Sequence, residues 1–105
     1  MENPYIDSTL KKLKESQKEN KPYLTKVLGK NFIIYPNVFS PKYFSDTSFF
    51  AENLITHKGE KLLDMGCGSG IIAIFCALRG TEVTAIDINK SAVENAKVNV
   101  KKHKV

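Results

Sequence analysis

No apolar run in this chain approaches the roughly 18 residues that a membrane-spanning helix needs. The longest, 71–78, reads as a buried helix instead. No signal peptide is expected. Cysteine is nearly missing. Cys67 and Cys76 are the only two, and nothing pairs them as metal ligands, so both read as reduced thiols of a cytosolic, cytoplasmic protein. Histidine is equally scarce: His57, close to Gly59, reads as an exposed helix end rather than a catalytic base, and His103 as part of a frayed terminus. Acid is in deficit, with 11 Asp and Glu against 16 Lys and Arg, a net charge of +5. Much of the excess sits at the ends, in Lys11, Lys12, Lys14, Lys18 and Lys21 and in Lys97, Lys101, Lys102 and Lys104. Aromatic residues are not interleaved among these lysines. They read as solvated helix faces, with a weak attraction to RNA as the sharper alternative.

A chain of 105 residues has room for one domain at most. A domain of this size buries only about 60–65% of its unfolded surface, so its elements must complete a core between them. Residues 1–6 read as a loose lead-in. The polar segment 8–20, with Ile6, Leu10 and Leu13 on one stripe, predicts a surface helix capped by Asp7 or Ser8 and ended by Pro22. Two short apolar runs at 24–28 and 32–35, parted by Gly29-Lys30-Asn31, predict a hairpin. Pro36 and Pro41 frame an extended loop. Asp46, Thr47 and Ser48 offer caps for a helix reaching about His57, with Phe49, Phe50, Leu54 and Ile55 as its buried side.

The informative stretch is 61–70. An apolar pair, Leu62 and Leu63, ends in Asp64, and Gly66, Gly68 and Gly70 follow at alternate positions. Strand, tight glycine loop and buried helix is the order this predicts, with Gly80 ending the helix. Side-chain-free positions let a ligand approach the backbone, and the helix start presents free N–H groups. The spacing is G-x-G-x-G rather than the dinucleotide G-x-G-x-x-G, and the preceding carboxylate suits a cationic group better than a diphosphate. A second strand at 83–86 closes in Asp87, seventeen residues past Gly70. A carboxylate there can accept from both hydroxyls of a ribose, or serve simply as a helix-start acid. Asn89 predicts the cap of a last helix to about Lys102, with Ser91 and Glu94 as a competing capping box. Ala92, Ala96 and Val100 are its expected inner stripe, and Asn95 and Asn99 are expected at the surface.

Asp64-Met65-Gly66-Cys67-Gly68-Ser69-Gly70 resembles the Asp-x-Gly-x-Gly-x-Gly of class I S-adenosylmethionine-dependent methyltransferases. Val38-Phe39-Ser40-Pro41, followed by a helix start at Asp46-Thr47, is similar to the loop before the first strand in their small-domain group. That group includes enzymes acting on guanine nitrogens of ribosomal RNA and on a glutamine amide of release factors. The resemblance implies S-adenosyl-L-methionine as cofactor, held by Asp64, Gly66, Cys67, Gly68, Gly70 and Asp87, with Ile88 against the adenine. Thr47 and Phe39 would line the pocket, although a helix cap and a packed aromatic explain them equally well.

The fold expected is α/β, the first half of a doubly wound, Rossmann-like sheet with an N-terminal helix and hairpin. Residues 1–45 form the extension and 46–105 a partial cofactor-binding domain. The family's acceptor motif, Asn-Pro-Pro-Tyr after the fourth strand, does not occur, so no catalytic residue is assigned. The chain reads as the cofactor-binding half of a methyltransferase acting on a nitrogen of RNA or protein. The alternative is a non-catalytic module that binds the cofactor weakly, or docks on a partner chain supplying further strands. A nicotinamide-dinucleotide domain is the third reading. No membrane or metal is expected.

Overall fold

The computed structural model describes residues 4–17, 20–42 and 46–105. Four helices and four strands are found among them: α1 (Pro4–Gln17), β1 (Tyr23–Val27), β2 (Lys30–Ile34), α2 (Asp46–Asn53), β3 (Lys61–Met65), α3 (Ile71–Leu78), β4 (Glu82–Ile86) and α4 (Lys90–His103). The segment 4–6, expected as a lead-in, is already helical, and Asp7 and Ser8 lie inside α1 rather than capping it. Proline is tolerated in a first helical turn, and Asp7 there meets the positive end of the helix. Residues 1–3 and Lys18 lie outside the described residues, as do 43–45, where the expected boundary at 45 falls.

The hairpin pairs Val27 with Lys30, so its turn is Leu28-Gly29, one step earlier than expected. Both residues have positive φ, 47° and 80°, the geometry that matches strand twist in a two-residue turn. This register puts Val27, Phe32 and Ile34 on one face, and all three are buried. They join Ala51 of α2 and Ile71, Ile74 and Phe75 of α3 in one core. The buried contact of α2 is therefore Ala51. Phe49, Phe50 and Ile55 remain exposed, correcting the expected buried side, and the helix stops at Asn53 rather than near His57. Arg79 donates to the Ala51 and Leu54 carbonyl oxygens, satisfying acceptors that the end of so short a helix leaves open.

Strands β3 and β4 run parallel, with Asp64 opposite Ala85 and Met65 opposite Ile86. Their alternation turns Leu62, Asp64 and Val83 toward half-buried positions. Leu63, Met65 and Ile86 on the opposite face are bare, Met65 at 72%. Helix α3 is covered on several sides, as its unbroken apolar sequence requires: five of its eight residues are buried.

The largest departure is in α4. Ala92 and Ala96 are buried as expected, but Val100 is exposed, and Asn95 and Asn99 are both 0% exposed. The edge of β2 turned away from β1 explains why. Asn95 Oδ1 accepts from Tyr35 N at 2.8 Å, and its Nδ2 donates to Ile33 O at 2.7 Å. Asn99 Oδ1 accepts from Ile33 N at 2.8 Å, and its Nδ2 donates to Ile33 O at 2.8 Å. Two amide side chains thus stand where a third strand would pair, satisfying backbone groups that an edge leaves open. One turn further on, His103 Nε2 lies 2.8 Å from Asn31 O, with its ring 4.5 Å from that of Phe32. His103 is held in the last turn, not frayed.

Candidate functional site

The glycine loop joins β3 to α3 at the carboxyl ends of the parallel strands. Gly66 N and Cys67 N both donate to Ile86 O, at 2.8 and 3.0 Å, which fastens the loop to the end of β4. Gly70 N turns back to Cys67 O at 2.9 Å, and Gly70 O accepts the first bond of α3 from Ile74 N. Gly66, Gly68 and Gly70 have φ of 73°, 56° and 86°, left-handed values that other residues rarely adopt. A Cβ on Gly66 would meet open space, whereas one on Gly70 would lie 3.0 Å from Ala96 Cβ. Gly66 therefore keeps a space clear, and Gly70 lets α3 and α4 approach.

Asp87 ends β4 and is held by the loop it faces. Its Oδ2 accepts from Gly68 N at 2.9 Å and its Oδ1 from Asn89 N at 2.8 Å. These two bonds, first Asn89 and then Gly68, hold its carboxyl below the ordinary carboxylate value. Asn89 caps α4 through Ser91 N at 3.0 Å, as expected, so the competing Ser91–Glu94 box is not used. The same side chain donates to Asn37 O at 3.0 Å and draws the proline-framed loop toward the site. Ser40 Oγ of that loop is hydrogen-bonded to Tyr23 OH of β1.

Asp64 is in the opposite condition. Its Oδ2 is buried with no hydrogen-bond partner among the described residues. Burial raises its pKa, and the Asp87 charge raises it further. The two carboxylates are therefore near enough to sense one another at the ends of neighbouring strands. Cys67 is pushed up too, by burial first and then by Asp64 and Asp87, and burial also raises Cys76. Neither thiol is activated as a nucleophile.

A cleft of about 210 Å³ opens beside the loop. Gly66, Cys67 and Gly68 form one wall with Ser69, and Thr47, Asp46, Phe50 and Phe39 the other. The structure thus brings Thr47 and Phe39 to the glycine loop. Gly70 and Asp87 support the loop and Asp64 precedes it, all three without lining this cleft, and Ile88 is fully exposed beside Asp87. Sequence reasoning missed Asp46, Phe50 and Ser69 in the cleft wall. It also missed Asn99, whose Nδ2 donates to Ser69 O at 2.9 Å. Its signal was available: residues 92, 95, 96 and 99 form one i, i+3, i+4, i+7 stripe.

Residues 29–105 match the model of the methyltransferase small domain. A candidate protein N5-glutamine methyltransferase of Methanocaldococcus jannaschii is 32% identical over 83 residues, covering 78% of this chain and 41% of that protein. The tRNA (uracil(54)-C(5))-methyltransferase of Pyrococcus horikoshii is 38% identical over 79 residues, 70% of this chain and 18% of the relative. The chain thus spans less than half the length of either. Among solved structures, the Pyrococcus abyssi tRNA (uracil-54, C5)-methyltransferase in complex with S-adenosyl-L-homocysteine superposes with a TM-score of 0.68. It is 29% identical, over 81% of this chain and 22% of that one. A SAM-dependent methyltransferase of Agrobacterium tumefaciens, 23% identical with a TM-score of 0.59 over 83% of this chain and 30% of the other, shares the fold. No helix among the described residues is long and apolar enough to cross a membrane.

Proposed function

The chain belongs to the class I S-adenosylmethionine-dependent methyltransferases through their methyltransferase small domain, and on that premise we propose that its glycine loop, between the cleft and the carboxyl ends of β3 and β4, holds S-adenosyl-L-methionine. One observation carries the reading: the buried, unpartnered Oδ2 of Asp64 beside a loop of side-chain-free positions. An orphaned carboxylate oxygen is costly unless something donates to it, and an ammonium group does so with full charge complementarity. The cofactor's amino-acid end supplies such a group.

Gly66, Cys67 and Gly68 would line its path. Each Asp87 oxygen already accepts one backbone N–H and keeps a free lone pair, so the carboxylate can take two ribose hydroxyls without releasing the loop. Ile88, bare beside it, offers an apolar surface for the base. Thr47, with Phe39, would close the cleft from the α2 side, and Gly70 would hold the α3 start against α4. Residues 46–105 would form the binding unit, the first half of a doubly wound sheet, and 1–45 the extension bracing it. When bound, the cofactor supplies a methyl group on a cationic sulfur. This chain's residues hold and orient it, and orientation is the main source of rate in such a transfer.

The acceptor in the complete enzyme would be a nitrogen of RNA or protein. Relatives named for a glutamine nitrogen and for a tRNA base support the two substrate classes, although the tRNA enzyme is named for a carbon. A second reading rests on the bare sheet face of Leu63, Met65 and Ile86: a module that works only when docked on a partner chain that covers that face and supplies further strands at the sheet edge.

Titration calorimetry of the 105-residue chain with S-adenosylhomocysteine and with NAD tests the assignment. Saturable heat with the first alone, weakened by Asp64→Asn, is expected. No heat, or equal heat with NAD, would overturn it.

A further inference from the structure

The chain's positive charge is gathered on two elements. Residues 21–35, which contain the hairpin, carry three lysines and no acid, and residues 90–105, which contain α4, carry five lysines and one acid, Glu94. Together they hold eight of the 16 basic residues and one of the 11 acids. The rest of the chain, with eight basic residues and ten acids, is net negative. These two elements are far apart in sequence, yet they pack directly on each other. His103 meets Asn31 at 2.8 Å, so Lys102 and Lys104 on one side and Lys30 on the other flank a single contact.

All three lysines are exposed, and among the described residues no acid lies within ion-pair distance of any of them. Glu94, the one acid in either segment, lies 3.5 Å from Lys97. Clustered like charges repel, and an ordinary solvated face disperses its charges among acids. Here the opposite sign has been kept out of the cluster and placed elsewhere. The helix C-terminus adds only about half a negative charge, too little to offset three lysines. We propose that this face, Lys30 of the hairpin with Lys102 and Lys104 of α4, binds the phosphate backbone of RNA.

The surface is separate from the cleft. Asn89 and Asp87 stand at the start of α4 and the lysines at its end, about 20 Å apart at 1.5 Å per residue. It is therefore a handle on the substrate's backbone rather than an acceptor pocket. It carries no sequence-reading groups, because lysines on phosphates position an RNA without discriminating its bases. The inference rests on the reading above only in choosing RNA from among polyanions.

Fluorescence anisotropy with a short end-labelled single-stranded RNA provides the test, run beside calorimetry with S-adenosylhomocysteine. Binding is expected to weaken as salt rises, log K falling against log salt by about 0.7 for each phosphate contacted. The double variant Lys30→Glu/Lys104→Glu should bind more than about tenfold more weakly, and Lys30→Ala/Lys104→Ala should flatten the salt slope by about 1.4. Lys30→Arg/Lys104→Arg should bind like the parent, and circular dichroism and nucleoside binding should be unchanged in all three. Parent-like RNA binding by the glutamate variant overturns the proposal. So does loss of binding on Lys11→Glu/Lys12→Glu instead, or capture of phosphatidylserine vesicles but not RNA. RNA binding without S-adenosylhomocysteine binding would sink the cofactor assignment and leave this surface standing.

Discussion

The side-chain amide of Asn99 donates at once to Ser69 O, at 2.9 Å, and to Ile33 O, at 2.8 Å. One buried side chain on α4 thereby ties the hairpin edge to the glycine loop. Replacing it with leucine would leave the Ile33 N–H and the Ser69 carbonyl oxygen without their partner, while Ile33 O keeps its bond from Asn95 Nδ2. Each buried group left unsatisfied costs about 1–3 kcal/mol, so Asn99→Leu should destabilise the chain by about 2–4 kcal/mol. Urea denaturation measures this directly. A loss below about 0.5 kcal/mol, the range of ordinary surface substitutions, would mean that the hairpin and loop do not depend on this bridge.

Two glycines of the same loop should respond differently to alanine. At Gly66, φ is 73° and a Cβ meets nothing within 4 Å, so only left-handed strain of about 1–2 kcal/mol is added. At Gly70 the strain is similar, but the new Cβ would lie 3.0 Å from Ala96 Cβ and 3.2 Å from its Cα. Ala96 belongs to the helix that clamps the hairpin, so relief requires α4 to move. Gly70→Ala should therefore lower the thermal midpoint clearly more than Gly66→Ala. Gly66→Ala should instead be read in nucleoside affinity, because its methyl enters the space a ligand would use. Equal midpoints for the two variants would contradict this division.

How much of this was legible beforehand follows from where the physics is local. The loop could be read because an acid, three alternate glycines and an unbroken apolar helix leave few alternatives at those positions. Asn89 was legible as a cap for the same reason: capping is decided within three residues. Asn95 and Asn99 were misread because a polar residue beside Lys97 and Lys101 belongs by default to the solvent face. What inverts that default is the open edge of β2, some sixty residues earlier; the 92, 95, 96, 99 stripe on α4 marks the inward face but does not say what its amides would meet there. His103 was misread likewise, since Asn31 and Phe32 hold it. The buried side of α2 failed for another reason. Its aromatics are its largest apolar groups, but close approach to α3 uses Ala51, and size alone does not say which face is pressed inward.

Asp87 should show its part in binding through the sugar. Removing hydrogen bonds to a charged group costs about 1.5–3 kcal/mol, so Asp87→Ala should weaken adenosine-ligand binding by that amount. The same change frees Gly68 N and Asn89 N, which would also disturb the loop. A cycle separates the two effects. The parent should prefer adenosine over 2′,3′-dideoxyadenosine, and Asp87→Ala should bind both equally. A preference that survives the substitution would remove the ribose from Asp87. The depressed pKa has its own consequence. A carboxyl titrating lower when folded adds stability that is present above its unfolded value and lost as pH falls through the folded one, here below 3.8.

Asp64 should behave with the opposite sign. Burial and the Asp87 charge raise its pKa above 3.8 in the folded chain, so the folded state holds its proton more tightly than the unfolded one. Stability is then least above the raised value, where the buried carboxylate is charged, and is recovered as pH falls through it toward 3.8. Asp64→Asn removes that charge, so the variant should be more stable than the parent at neutral pH, with the difference shrinking on acidification. The same substitution should weaken binding of an ammonium-bearing nucleoside at neutral pH. In the parent, that affinity should fall as acid protonates Asp64, while affinity for adenosine, which has no ammonium group, should not follow. Denaturation midpoints and calorimetry at a series of pH values read both. A variant that is less stable than the parent and equally tight in binding would show Asp64 to be a structural acid, and its buried oxygen would need another account.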